Sequence, residues 1–254
     1  MARKKKDTSL PAPFLKWLSL LEDKMIKRDE YPFNLPWLQD ESFKIAFDTP
    51  VTIIIGENGT GKSTLIEAIA ALSGYDEAGG GKGYMPVDHS RAIDTSGSDL
   101  SKVLRAGWLP KITDGWFFRA ETFFSVARYL DDAGSGAADY LSWSHGEGFI
   151  KLFEDRMSKQ GVYFMDEPQS ALSPKRQIEL LRILNKIQTT AISQVIMATH
   201  SPILMALPIA RVLEITRHGV AEIDYRSTQH FKLYQEFTYD PEHFIEEALK
   251  TEEY

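Results

Sequence analysis

Apolar and polar positions follow two different periods along the chain. The stretch FKIAF at 43–47 alternates, and it gives way to the unbroken run VTIII at 51–55. That change predicts a half-exposed strand followed by a buried one. The buried run stops at GENGTGKST, and LIEAIAALSG continues at helical spacing up to Gly74, a glycine placed where helices end. Two more continuous apolar runs, 161–165 (GVYFM) and 194–198 (QVIMA), predict buried strands, and PKRQIELLRILNKIQ between them is an amphipathic helix. GWFFRA (115–120) predicts a strand, ETFFSVARYLDDA a short helix, and GFIKLFEDRM a further helix with apolar residues at 149, 150, 152, 153 and 157. Near the start, the spacing predicts a helix over Phe14–Lys27, and the prolines of Tyr31–Pro36 follow it. Residues 75–115 are rich in Gly, Asp and Ser, and AGGGKG at 78–83 predicts a mobile loop. VLEITRHGVAEIDY predicts a hairpin turning at Gly219, and the acidic tail from Asp240 a last helix. Strands alternating with helices require parallel pairing, so the expected class is α/β.

Composition narrows the chemistry. The chain has 254 residues, 43% hydrophobic and 26% charged, enough for a sizeable core as one large domain or two small ones. It contains no cysteine, which excludes disulfides, thiolate metal sites and cysteine nucleophiles. A net charge of −7 argues against a surface that grips nucleic acid all over, and the one dense basic cluster, Arg3–Lys6, reads as a solvated terminus. No run approaches the roughly 18 apolar residues of a membrane span, and the N-terminus has no apolar signal core, so a cytoplasmic location is expected. Trp108, Trp116, Phe117, Phe118, Phe123 and Phe124 read as core and not as a base-stacking platform.

Three motifs fall at the ends of predicted strands. Gly56-Glu57-Asn58-Gly59-Thr60-Gly61-Lys62-Ser63, followed by Thr64, fits the phosphate-loop pattern G-x-x-x-x-G-K-[ST] in its strand-to-helix context. Its glycines let backbone N–H groups turn onto phosphates, Lys62 reaches the outer phosphates, and Ser63 can bind Mg²⁺. Asp166 and Glu167 end the strand at 162–165, where Asp166 is placed to hold Mg²⁺ and Glu167 to polarise a water. His200, in ATHSP, lies on the same edge, where ligands of α/β sheets gather.

In this order the motifs resemble the ATP-binding cassette (ABC-type) ATPases, and more closely the SMC- and Rad50-like branch, as compact bacterial relatives without a coiled coil. The resemblance covers about residues 40–215. GENGTGKS is similar to the Walker A loop, VYFMDEP to Walker B, SALSPKRQ to the D-loop and MATHSPIL to the switch-histidine segment. Ser144-His145-Gly146-Glu147-Gly148 resembles the signature LSGGQ or LSGGE, with Trp143 for the usual leucine and His145 for the first glycine.

The resemblance implies a P-loop head fold with a mostly parallel core sheet, an antiparallel portion and a small helical signature lobe. Within one domain over 1–254, about 1–30 is an extension, 31–75 and 160–254 the nucleotide core, and 76–159 the lobe. It implies ATP and Mg²⁺, catalysis by Glu167, His200 and Lys62, and a metal set of Ser63, Asp166 and Glu121. Glu121 stands for the Q-loop glutamine, with Arg119 as the alternative, and Ser173 replaces the usual D-loop aspartate. Ser144, Gly146 and Glu147 would cap a nucleotide held by a second subunit, so an ATP-dependent head-to-tail homodimer is implied. A DNA- or RNA-handling or defence partner is expected, and direct nucleic-acid binding is left open. The alternatives are a slow dimerisation switch with little turnover and a P-loop kinase, which the signature-like and histidine segments argue against.

Overall fold

The computed structural model describes residues 10–24, 28–40, 42–77, 79–82, 96–120 and 145–250. Two sheets organise them. A six-stranded sheet runs in the order β5 (Gly115–Arg119), β6 (Val162–Asp166), β7 (Gln194–Ala198), β3 (Val51–Ile55), β8 (Arg211–Thr216) and β9 (Gly219–Glu222). Its first five strands are parallel, and β9 returns antiparallel from Gly219, the predicted hairpin. The smaller sheet, β2 (Lys44–Ala46), β1 (Leu15–Leu20) and β4 (Leu104–Trp108), is antiparallel. The α/β class and mixed sheet are those expected.

The central strands read as unbroken apolar runs because both faces are covered, yet their side chains still alternate. Ile54, Phe164 and Ile196 face one layer with α1 (Lys62–Leu72) and the small sheet. Ile53, Ile55, Met165, Val195 and Met197 face the other, against α3 (His145–Met157) and α4 (Pro174–Thr190). A short α2 (Ser96–Ser101) packs on α1. After β7 come α5 (Pro202–Met205), the hairpin, α6 (Gln229–Tyr239) and α7 (Pro241–Lys250). Trp116, Phe117 and Phe118 are buried core, as expected, whereas Phe123 and Phe124 lie outside the described residues.

Two stretches differ from expectation. Phe14–Lys27 is not a helix: Leu15–Leu20 is the middle strand of the small sheet, followed by a short 3-10 turn at Glu22–Lys24. The register slips between Leu15 and Trp17, and this bulge leaves Leu15 and Leu18 both fully buried three residues apart. A bulged strand therefore carries the spacing that elsewhere marks a helix. In 75–115, expected as irregular, β4 pairs with β1; Gly107 is required there because a Cβ would come within 2.2 Å of the Trp17 ring. AGGGKG falls largely among described residues, and Gly80 bridges Phe117.

Gln194 joins the sheets. Its fully buried side chain accepts from the backbone N–H groups of Phe14 (2.8 Å) and Leu15 (2.7 Å) and donates to the Leu15 carbonyl (3.0 Å). Replacing Gln194 with Leu strands these three groups in the core, each worth roughly 1–3 kcal/mol when unsatisfied. We expect urea denaturation to report a loss of about 3 kcal/mol or more.

Candidate nucleotide site

The parallel register aligns three chain segments. Ile54 pairs with Ala198, Asp166 with Ala198, and Arg119 with Asp166, so Gly56, Glu167 and Thr199 all leave the sheet at one edge. The loop after β3 turns through left-handed glycines at Gly59 (φ 78°) and Gly61 (φ 89°). At Gly56 any Cβ would lie 2.5 Å from the Ile215 carbonyl oxygen. Internal bonds close the loop: Thr60 Oγ1 and Lys62 Nζ both donate to the Glu57 carbonyl, at 2.8 and 3.0 Å. Outside it, Trp37 Nε1 donates to the Thr60 carbonyl at 2.8 Å. Gly61, the cap of α1, offers no side-chain acceptor, so the first N–H groups of the helix are free of a side-chain cap. They form an anion-binding terminus beside the Lys62 ammonium. Lys62 is buried, and burial draws its pKa down while Glu167, Asp166 and Glu57 pull it up.

A cavity of about 350 Å³ opens here, lined by Asn58, Gly59, Gly61, Lys62, Ser63, Thr64, Glu167, His200 and Tyr31. Sequence patterns did not single out Tyr31: it reaches the site from the proline-rich stretch, with its hydroxyl 2.5 Å from Thr64 Oγ1. Glu167 adopts a left-handed backbone (φ 48°, ψ 51°), a conformation that costs a non-glycine residue of order 1 kcal/mol or more. It is held by its N–H on the Ala198 carbonyl (3.1 Å) and by Ser170 Oγ on its own carbonyl (2.7 Å).

The Glu167 carboxylate meets His200 on one oxygen (Oε1 to Nε2, 3.5 Å) and accepts from Gln169 Nε2 on the other. Thr199 Oγ1 in turn donates to Gln169 Oε1 at 2.6 Å and accepts from the Ser201 N–H at 3.0 Å. Gln169 thus straps the Glu167 segment to the His200 segment. His200 has its pKa lowered by burial first and then by Lys62, against the opposing pull of Glu167.

Asp166 is buried at the end of β6, behind the residues that line the cavity, and it is not alone there. Arg119, also buried, lies 2.9 Å from Glu67 Oε1 on α1 and 3.9 Å from Asp166 Oδ2, and donates to the Glu77 carbonyl at 3.0 Å. Arg119 is therefore tied into a buried charge cluster and is not an arm reaching into the cavity, as a Q-loop residue would be. Glu121 and Ser144 lie outside the described residues, as does Trp143. Gly146 and Glu147 sit in the first turn of α3, where Glu147 Oε1 meets Arg176 Nη2 at 2.5 Å. Arg176 bonds Glu179 as well, at 2.6 Å, so Glu147 is linked to the start of α4. Ser173 caps α4, accepting from the Arg176 N–H at 3.4 Å.

A glycine loop, a buried lysine and paired carboxylates at one sheet edge define a P-loop nucleotide-binding protein. Residues 34–104 match the family described as "AAA domain", and 148–206 that described as "AAA domain, putative AbiEii toxin, Type IV TA system". The chain is 27% identical over 171 residues to the "Energy-coupling factor transporter ATP-binding protein EcfA" of Pediococcus pentosaceus, covering 59% of each protein. It is 22% identical over 222 residues to the "Putative ABC transporter ATP-binding protein PH0132" of Pyrococcus horikoshii, covering 77% of this chain and 82% of that one. A solved "putative metal-chelate type ABC transporter" in an inward-facing conformation shares the fold at a TM-score of 0.50 and 15% identity, with 88% of each chain covered. The chain thus has a P-loop fold shared with ABC-type proteins and is similar in sequence to their ATP-binding subunits. Among the described residues, no helix is long and apolar enough to cross a membrane.

Exchanging Arg119 for Met leaves Glu67 and Asp166 buried without their guanidinium. Breaking a buried charge cluster from one side costs about 3–5 kcal/mol, and we expect a loss of that size in urea denaturation.

Proposed function

We propose that the chain binds ATP with Mg²⁺ and hydrolyses it within a head-to-tail homodimer. The observation that carries this reading is the convergence of Lys62, Glu167 and His200 on one cavity at the mouth of the glycine loop. The loop amides and Lys62 bind the β- and γ-phosphates, and Glu167 takes a proton from the attacking water. His200 hydrogen-bonds the γ-phosphate. Positioning and charge stabilisation supply most of the catalysis.

Mg²⁺ fits the donor set: Ser63 opens α1, and the buried Asp166 carboxylate ends the neighbouring β6. Such an ion needs only one or two protein ligands when phosphates supply others. When bound, it would neutralise charge on the phosphates. Glu121 is a further candidate ligand. Ser144, Gly146 and Glu147 cap the nucleotide of the partner subunit.

A second reading, slow nucleotide-dependent dimerisation with little turnover, is favoured by the state of the base. Both Glu167 oxygens have partners, Gln169 and His200, and these contacts compete with water for the carboxylate. The process served is DNA or RNA handling or defence. The family description that matches residues 148–206 names a type IV toxin–antitoxin system, which supports a defence role over transport.

Glu167→Gln should keep ATP binding, lower the hydrolysis rate by about 10²-fold or more, and trap an ATP-dependent dimer visible by light scattering. Hydrolysis at the parental rate would remove Glu167 as the base. Ser144→Arg should abolish ATP-induced dimers while leaving nucleotide binding by the loop intact. Unchanged dimerisation would reject the signature assignment. Negligible basal phosphate release from a parental protein that dimerises with ATP would select the switch reading.

A further inference from the structure

The C-terminal helices bear on the same site. Thr228 caps α6, accepting from the Phe231 N–H at 3.1 Å, and the first turn sets the His230 ring 5.7 Å from that of His200. One turn later the Tyr234 ring lies 5.1 Å from His230. Neither α6 nor α7 contains a buried residue, so the pair adds little to the core. It nevertheless sets an imidazole against His200, which lines the nucleotide cavity.

Four ionisable groups surround His200: Lys62 and His230 on the basic side, and Glu167 and Glu57 on the acidic side. α5, on which α6 packs, is PILM and contributes no charge.

We propose that His230 is a positioning residue for the nucleotide site, packed against His200 so as to fix that imidazole toward the cavity and keep it from forming a full ion pair with Glu167. The inference rests on the reading of His200 and Glu167 given above. A charged His200 beside Glu167 would hold the carboxylate in an ion pair and weaken it as a base. Two adjacent imidazoles resist being protonated together, so His230 reinforces burial and Lys62 in keeping His200 neutral. A neutral imidazole still serves as a hydrogen-bonding group at a phosphate, and Glu167 stays available to water.

The test compares the parental protein with His230→Asn and His230→Gln, following the His200 resonance by NMR across pH in histidine-labelled, nucleotide-free protein. His200→Gln provides the assignment. We expect the His200 midpoint to rise by a few tenths of a pH unit or more in both variants. The acid limb of kcat should move the same way, with kcat at a pH below the parental midpoint down about twofold, KM for ATP within about twofold, and activity recovered at higher pH. An unchanged His200 midpoint overturns the proposal even if thermal stability falls, because loss of packing alone does not move that titration. A shifted midpoint with an unshifted pH–rate profile overturns its catalytic part. Normal hydrolysis by His200→Gln would instead defeat the underlying site reading, and the NMR result would stand separately.

Discussion

Everything at the nucleotide site depends on the register of the parallel strands. Because Ile54, Asp166 and Ala198 lie level across β3, β6 and β7, the phosphate loop, Glu167 and His200 leave the sheet within reach of one another. A parallel strand fixes where its successor loop begins, and both faces of this sheet are packed, so slippage would move buried residues as a block. Motifs separated by more than a hundred residues of chain are thereby held to one edge.

On that frame the site stores two kinds of cost. Glu167 adopts a backbone that ordinary residues avoid, and hydrogen bonds from Ser170 and to Ala198 hold it there. The charges of Arg119, Glu67 and Asp166 are sequestered from water, which is tolerable only because they lie together. Both arrangements exchange stability for direction: the first aims a carboxylate into the cavity, and the second fixes the flank of Asp166 against α1.

Much of the site was legible in the sequence because its chemistry is local. A phosphate loop is one strand, one turn and one helix, so its residues announce it without any tertiary information. The buried strands were equally plain as unbroken apolar runs. What escaped was set by distant partners. β1 was misread because a bulge gave Leu15 and Leu18 a helical spacing, and β4 because its one glycine serves the Trp17 ring and not a loop. Tyr31 and His230 belong to no spacing pattern, and only the fold brings the first to the cavity and the second to His200, while Gln169, two residues from Glu167, shows its role only through its bond to Thr199. Arg119 could be suspected from its place at a strand end, but its tether to Glu67 could not.

Gln194 gives β7 a further meaning. The strand is bolted at its foot to the backbone of β1 by three side-chain hydrogen bonds, and at its head it presents Thr199 and His200. A rod pinned in this way is held against lengthwise sliding past β1, so any rearrangement at the proposed nucleotide site has to be taken up beyond Ala198. That leaves side-chain rotamers, the Gln169 strap and the C-terminal helices, which bury no residue, as the parts free to shift while the sheet stays fixed.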